Sequence, residues 1–338
     1  MDWLRVRRYG CAQMPFGKWT ILLLILAKFF SAQSFAAPFS VIVSNAGIIT
    51  LTARDCQATQ LDLDALRAWT QRVGEKTSNP PPLLPTNEGC SVALTGSVPS
   101  FVQKHEDQHP VLDGPNCWNT ALVVDKILST VRNTESKEFT FWMNSPLCRP
   151  LATGDLPQPG DIIAIRSHSE SPTPEVHGMI YVNKDMVFSK NSVATSEPYA
   201  LQVLDDVLSS FAIATSDTSC RTVAGDAARK CMFFTQYFRC STLTEYTKDH
   251  DEYGLENYLA AVSTSLTPIE LEIEGFVMSA GAPAQGTSDR IQNQLASLQA
   301  LSDSELQTVE PSNSTLRFLW QSVQAQIASL QVWRGPFQ

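Results

Sequence analysis

Cys117 and His177 are the two side chains whose types and spacing could support nucleophilic chemistry. Cys117 stands shortly before the apolar run Ala121–Val124, so it is predicted to open a helix. A helix start and a nearby imidazolium both favour the thiolate, which is the form of cysteine that attacks. His177 opens the strand-like run 177–182, and its ring could protonate a leaving group. This pair predicts thiol-dependent acyl transfer.

A third polar group would have to hold the imidazole in its orientation. Side chains alternate along a strand, so Ser189 and Asn191 are expected on one face and Lys190 on the other. A three-residue hairpin loop places Asn191 opposite His177 and Ser189 diagonal to it, whereas a two-residue loop places Lys190 there. Asn191 is the preferred third catalytic residue, because an amide oxygen can accept the imidazole N–H. Ser189 and Lys190 stay open as alternatives.

Each of these residues also has a simpler interpretation. Cys117 could be a small buried apolar residue, as non-disulfide cysteines often are. His177 could be a hydrogen-bonded histidine at the end of a strand. His105 and His109 are fallback partners because they lie near Cys117 in sequence, and His168 lies in a stretch with the composition of a loop.

The order of these residues resembles the NlpC-type branch of the papain-like cysteine peptidases. The resemblance covers residues 110–212 and rests on a cysteine within Gly114–Thr120, a strand led by Pro159–Asp161, and a strand headed by His177. It implies an α+β fold in which the helix bearing the cysteine packs on a small antiparallel sheet. It also implies an amide substrate, of the kind found in cell-wall peptides.

The chain departs from the family pattern at two positions. The family usually carries His, Asn or Gln where an ungapped alignment places Ser189, and often a small residue where Trp118 follows the cysteine. These departures indicate a distant branch with a different substrate. Asp161 is interpreted as a structural residue at a strand start, and Asn116 as a residue lining the site or forming a turn.

The N-terminal residues predict export. Residues 1–19 are basic, residues 20–30 are apolar, and small residues precede a cleavage site after Ala36. The signal peptide is therefore assigned to residues 1–36, with translation from Met14 or an uncleaved anchor as alternatives. The apolar run is short for a membrane span, and no later stretch is long enough. We expect a protein secreted or released to the periplasm, without an integral membrane segment.

Cysteine usage agrees with an oxidising compartment. Of the eight cysteines, Cys11 lies in the export segment, which leaves seven. Exported cysteines tend to pair, and an odd number leaves one thiol, for which Cys117 is the candidate. Proximity favours Cys56–Cys90, with two further bridges among Cys148, Cys220, Cys231 and Cys240. The histidines do not cluster with the cysteines, so neither zinc nor another cofactor is expected.

Composition excludes several functions and leaves others open. The net charge of −9 argues against nucleic-acid binding and against docking on anionic lipid. A hydrophobic content of 43% is that of a globular protein. Besides a hydrolase acting on a cell-wall peptide or another peptide or acyl substrate, two alternatives stand. One is an inactive binding or structural protein on the same fold, and the other is an acyltransferase or thioesterase.

Hydrophobic periodicity and Gly/Pro breaks predict the elements that would position these residues. The predicted strands are 39–43, 48–53, 161–166, 177–182, 185–190 and 231–240. The predicted helices are 61–73, 117–131, 202–212, 251–264, 267–280, 289–302 and 313–333. The chain is expected to divide into the signal peptide 1–36, an N-terminal extension 37–109, an NlpC-like catalytic domain 110–245 and a C-terminal helical region 246–338.

Overall fold

The computed structural model describes residues 37–167, 174–214, 218–225, 231–250, 254–279 and 283–332. The predicted signal peptide lies outside the described residues, and so does the stretch that contains His168. Within the described residues, antiparallel sheets combine with helices, so the expected α+β class is confirmed.

In the described part of the chain, ten strands form two sheets. The strands are β1 Phe39–Val43, β2 Ile49–Ala53, β3 Leu84–Thr86, β4 Gly89–Ala93, β5 Cys148–Pro150, β6 Ile162–Ser167, β7 Glu175–Tyr181, β8 Met186–Ser189, β9 Ala200–Val203 and β10 Phe233–Cys240. The smaller sheet has the order β1-β2-β4-β3, and the larger sheet has the order β5-β10-β6-β7-β8-β9.

The helices lie before, between and after these strands. They are α1 Cys56–Arg72, α2 Ser100–His105, α3 Cys117–Val124, α4 Ser136–Met143, α5 Leu204–Ser210, α6 Leu243–Asp249, α7 Leu255–Ala261, α8 Thr267–Met278, α9 Thr287–Thr308 and α10 Ser314–Val332. A π-helical turn, Val262–Leu266, joins α7 to α8.

Several helix boundaries differ from the sequence prediction, and at α1 and α3 the cause is local. Helix α1 starts five residues early, at Cys56 rather than 61, because the side chain of Asp55 caps it by accepting from the Ala58 N–H at 2.8 Å. Helix α3 ends at Val124 rather than at residue 131. Lys126 has a φ of 57°, a left-handed conformation that ends a helix.

The larger sheet separates two apolar layers. Ile162, Ala164, Ile180 and Phe188 point toward α3 and α4, and we call this side the α3 face. Their strand neighbours Ile163, Ile165, Met179 and Val187 point toward α5 and form the α5 face. Because both sides are covered, the central strands are almost continuously apolar.

One continuous core runs through all three predicted mature segments. It includes Trp69 of α1, Trp142 of α4 and Trp320 of α10, each at most 1% exposed. The Trp320 ring meets Tyr258 edge-on, with 5.7 Å between ring centroids. Trp320 is thus a packing residue of the core. The N-terminal and C-terminal segments share their core with the central one.

Among the described residues, three disulfides stabilise this fold. The expected bridge Cys56–Cys90 is present, and the other two are Cys148–Cys240 and Cys220–Cys231. Cys117 retains its thiol. Three disulfides are compatible with an extracytoplasmic protein. In the part of the chain that is described, no helix has both the length and the apolarity needed to cross a bilayer.

A buried ion network joins the sheet-forming part of the chain to the C-terminal helices. The fully buried guanidinium of Arg132 donates two bonds to Glu138 of α4, at 2.9 and 2.7 Å, and one to Glu270 of α8, at 2.7 Å. Burial works against the charge of Arg132, but the two carboxylates outweigh it and raise its pKa. Burial raises the pKa of Glu270, although Arg132 acts in the opposite direction.

A buried carboxyl group closes the edge of the larger sheet. Both carboxyl oxygens of Glu106, which follows α2, accept from the Leu201 N–H of β9, at 3.1 and 3.0 Å. Burial raises the pKa of Glu106 to about 8, and the charge of Asp107 adds to the shift. The group is therefore mostly protonated in the folded protein at neutral pH.

We predict that Glu106→Gln removes part of the loss of stability that occurs as the pH rises from about 4.5 to about 8. Since the pKa of Glu106 is 4.5 unfolded and about 8 folded, its contribution is complete below pH 4.5 and falls as the pH rises to about 8. The parent should lose on the order of 4 kcal/mol over this window, and the amide variant should not.

Urea unfolding at closely spaced pH values measures this difference. His105 acts in the opposite sense, because burial and then Lys104 lower its pKa to about 4, but it is present in both proteins. If the free energy of unfolding changed equally with pH in the two proteins, Glu106 would not be the group responsible for the loss.

Candidate functional site

Cys117 is the first residue of α3, as expected. The preceding Asn116 caps the helix, with its side-chain oxygen accepting from the Asn119 N–H at 3.0 Å. Its amide nitrogen donates to the Thr134 carbonyl at 2.7 Å. Asn116 is thus a capping residue fixed from both sides, so the helix start that carries Cys117 is held rigidly.

The thiol is wholly enclosed. Cys117 has no exposed surface, and Asn119 and Thr120 beside it are also buried. The side chain of Asn119 donates to the Thr130 carbonyl at 3.2 Å and accepts from the Arg132 N–H at 3.1 Å. A reactive cysteine normally has partial exposure in an electropositive setting, and this one lacks the exposure.

Gly178 marks where α3 crosses β7. A Cβ atom at position 178 would lie 2.9 Å from the Phe139 ring and 3.4 Å from the Trp118 ring. The close approach of α3 and α4 to the sheet therefore requires glycine here. Because Trp118 directly follows Cys117, this contact places the start of α3 against the residue after His177.

His177 points to the opposite face of the sheet. It pairs with Ile165, which belongs to the α5 face, and its ring packs on Phe211 with 4.9 Å between centroids. It is fully buried, and neither ring nitrogen has a hydrogen-bond partner among the described residues. The ring nitrogens of His177 thus make no hydrogen bond to Cys117 in this structure: Gly178 takes the α3 face, and alternation turns His177 toward the α5 face.

The hairpin register is the one that was predicted for the three-residue loop. Ile180 pairs with Phe188 and Tyr181 with Val187, which continued along the strands sets position 191 opposite position 177. The Asn191 amide is nevertheless engaged elsewhere. It accepts from the Ser189 hydroxyl at 2.7 Å and donates to Gln202 at 2.6 Å. Asn191 therefore braces β9 and does not orient the imidazole.

Lys190 is the polar residue that alternation places on the α3 face of this hairpin. It is fully buried, and its ammonium group donates to the carbonyls of Ser192 and of Ala194, the latter at 2.8 Å. The Gly114 N–H donates to the Val193 carbonyl between them, at 3.3 Å. The loop that holds the ammonium is thus attached to the segment leading into α3.

The fallback histidines occupy other surroundings. His105 is buried between Phe101 and Tyr199, with ring centroids at 4.4 and 5.4 Å. His109 is exposed, and its Nδ1 lies 2.9 Å from the Thr195 carbonyl. Thus His109 contacts the same loop that holds Lys190.

The α3 face also carries an ion pair that the sequence did not predict. Glu175 at the start of β7 lies 3.1 Å from Arg166 of β6 and also accepts from the Thr140 hydroxyl of α4. The strand register shifts between Ile165 and Arg166, and this bulge aligns the pair. No sequence signal marks such a bulge, so the pair could not have been predicted.

Asp161 is the structural residue that was expected. Its buried carboxylate accepts from Arg72 at 2.6 Å and from Arg239 at 2.9 Å, and it caps the turn by accepting from the Gln158 N–H at 2.7 Å. It therefore ties α1 and β10 to the start of β6.

Neither the described residues nor known proteins supply a further assignment. In the described ranges, no three or more His, Cys, Asp or Glu side chains cluster in a way that could hold a metal ion. Comparison with known protein families, with curated proteins and with solved structures found no match.

Proposed function

We propose that this chain is an extracytoplasmic binding protein on a papain-like framework, in which Cys117 is a packing residue. The observation that carries the proposal is that His177 points away from α3 while the thiol has no exposed surface. A nucleophile requires a base within hydrogen-bond reach and access for the substrate. Both requirements fail for the Cys117–His177 pair in this arrangement.

The ligand proposed from the family resemblance is a cell-wall peptide or a related peptide or acyl compound. In the binding protein it is held and not cleaved. The net charge of −9 supports this choice over nucleic acid. The proposal involves no cofactor.

A thiol hydrolase is the second candidate, and Lys190 favours it. The buried ammonium belongs to a loop attached to the segment that leads into α3. A cation near a cysteine lowers the pKa of the thiol, as the helix start also does. In the hydrolase the substrate is an amide or a thioester. Lys190 then replaces His177 as the group that activates the thiol of Cys117.

Alkylation of the native protein separates the two candidates. For the binding protein, iodoacetamide at mildly acidic pH should modify Cys117 at least about a hundredfold more slowly than in guanidinium, because labelling then requires local opening. Mass spectrometry after labelling locates the modified residue. Peptidoglycan fragments incubated with the protein should remain intact.

The matched variants are Cys117→Ser, which preserves packing, and Lys190→Met. Fast labelling of the native thiol, with turnover abolished in Cys117→Ser and reduced in Lys190→Met, would refute the binding protein and establish the hydrolase.

A further inference from the structure

A groove of about 620 Å³ lies at the far end of α3 from Cys117. Its walls come from α2, from residues 126–131 after α3, and from α7, the π-helical turn and α8. It therefore forms where the three predicted segments of the mature chain meet. Ligand sites concentrate at such junctions.

The floor of the groove is apolar. It is lined by Phe101, Val124, Ile127, Leu128 and Val262. Val124, Ile127 and Leu128 are at most 4% exposed, so they are fixed by the core behind them. A preformed apolar floor favours a ligand with an aliphatic or apolar peptide body.

The rim carries two carboxylates that are already occupied by the protein. Glu75 accepts from the N–H and the hydroxyl of Ser100, at 2.6 and 2.9 Å. Glu274 accepts from the Val131 N–H at 3.0 Å. Both carboxylates thus fix backbone segments and are poorly placed to bind a ligand cation.

Two lysines on the same rim are accessible. Lys126 lies 3.1 Å from Glu75 with its side chain 43% exposed, and Lys104 lies 4.0 Å from Glu274 with 68% exposed. Exposed pairs of this kind contribute little to stability, so the ammonium groups can turn to an anionic ligand at low cost.

The groove also contains a buried polar atom that lacks a partner. His105 lines the groove, is 3% exposed, and its Nδ1 has no hydrogen-bond partner in the described part of the chain. Buried polar atoms are nearly always paired, so an unpaired one in a groove wall points to a missing ligand group.

We infer that this groove binds a small molecule with an apolar body and a terminal carboxylate, which pairs with Lys104 or Lys126. Fatty acids and apolar peptides with an unmodified C-terminus share this chemistry. The inference rests on the proposed binding function and names its ligand class.

Calorimetric titration of the full mature chain tests the inference. The probes are decanoate and the tripeptide Ala-Val-Leu, with decanol and the peptide C-terminal amide as uncharged counterparts. At least one acid should bind, and the double variant Lys104→Gln/Lys126→Gln should weaken its binding about tenfold or more. The matched control Lys137→Gln, on exposed α4 surface outside the groove, should bind as the parent does.

Thermal unfolding checks that each variant is folded. A second variant, Ser129→Trp, places a bulky ring in the groove and should also abolish binding. Binding of decanoate alone assigns a lipid source, and binding of the peptide alone assigns a peptide source. Binding of neither acid, or equal binding of acid and uncharged counterpart, overturns the inference. Hydrolysis dependent on Cys117 would instead overturn the proposed function and would appear only in the thiol assay.

Discussion

Replacing Arg132 by methionine should destabilise the protein by about 3–5 kcal/mol. The guanidinium neutralises Glu138 and Glu270 in a fully buried site. Without it, two desolvated carboxyl groups face each other and must either take up protons or open the contact between α4 and α8. The free energy of unfolding in urea measures the loss, and the midpoint should shift to lower urea.

Two further variants show whether charge is the cause. Lys137→Met also replaces a cationic side chain by methionine, at an exposed position on α4, and should alter stability by less than about 0.5 kcal/mol. The triple variant Arg132→Met/Glu138→Leu/Glu270→Leu removes all three charges and should recover most of the loss. A triple variant as unstable as Arg132→Met would show that shape, and not charge, is what the site requires.

Removal of the Cys148–Cys240 disulfide, by Cys148→Ser/Cys240→Ser, should cost about 4–5 kcal/mol. The two residues lie 92 apart in sequence, so the bridge closes a long loop and strongly restricts the unfolded chain. They are also directly paired on β5 and β10, which holds the short edge strand in place.

The Cys220–Cys231 bridge is the matched control for this experiment. Its cysteines are only 11 residues apart, so the same reasoning gives a loss of about 3 kcal/mol for the double serine variant. Denaturation of both variants under the same non-reducing conditions compares the two losses. A larger loss for the shorter loop would contradict loop closure as the dominant cause.

Several features followed from local patterns. The disulfide Cys56–Cys90 and the thiol of Cys117 followed from odd cysteine count and proximity. Strand β1 has its predicted bounds, because alternation and turn residues are local signals. The hairpin register of β7 and β8 is that of the three-residue loop, one of the two loop lengths that the sequence left open.

The arrangement of the site could not be predicted from the sequence, because it depends on which face of the sheet each side chain of β7 takes. Order and spacing locate His177 on a strand but do not decide which face its side chain takes. Position 178 fixes the face, because a glycine there fits beneath Trp118 and Phe139, whereas a residue with a Cβ atom would crowd their rings. Arg132 was missed for a related reason: its partner Glu270 lies 138 residues away, and no local pattern links them.

Gly178 therefore decides on which side of the sheet the imidazole of His177 lies. Exchanging the order of His177 and Gly178 would carry the imidazole onto the side of the sheet where Cys117 lies. The ring would then collide with Trp118 and Phe139, which already come within 3.4 Å of a bare methyl group at that position. Bringing an imidazole to the Cys117 side of this sheet would thus require a coupled set of substitutions, because a histidine at position 178 also needs smaller residues at positions 118 and 139.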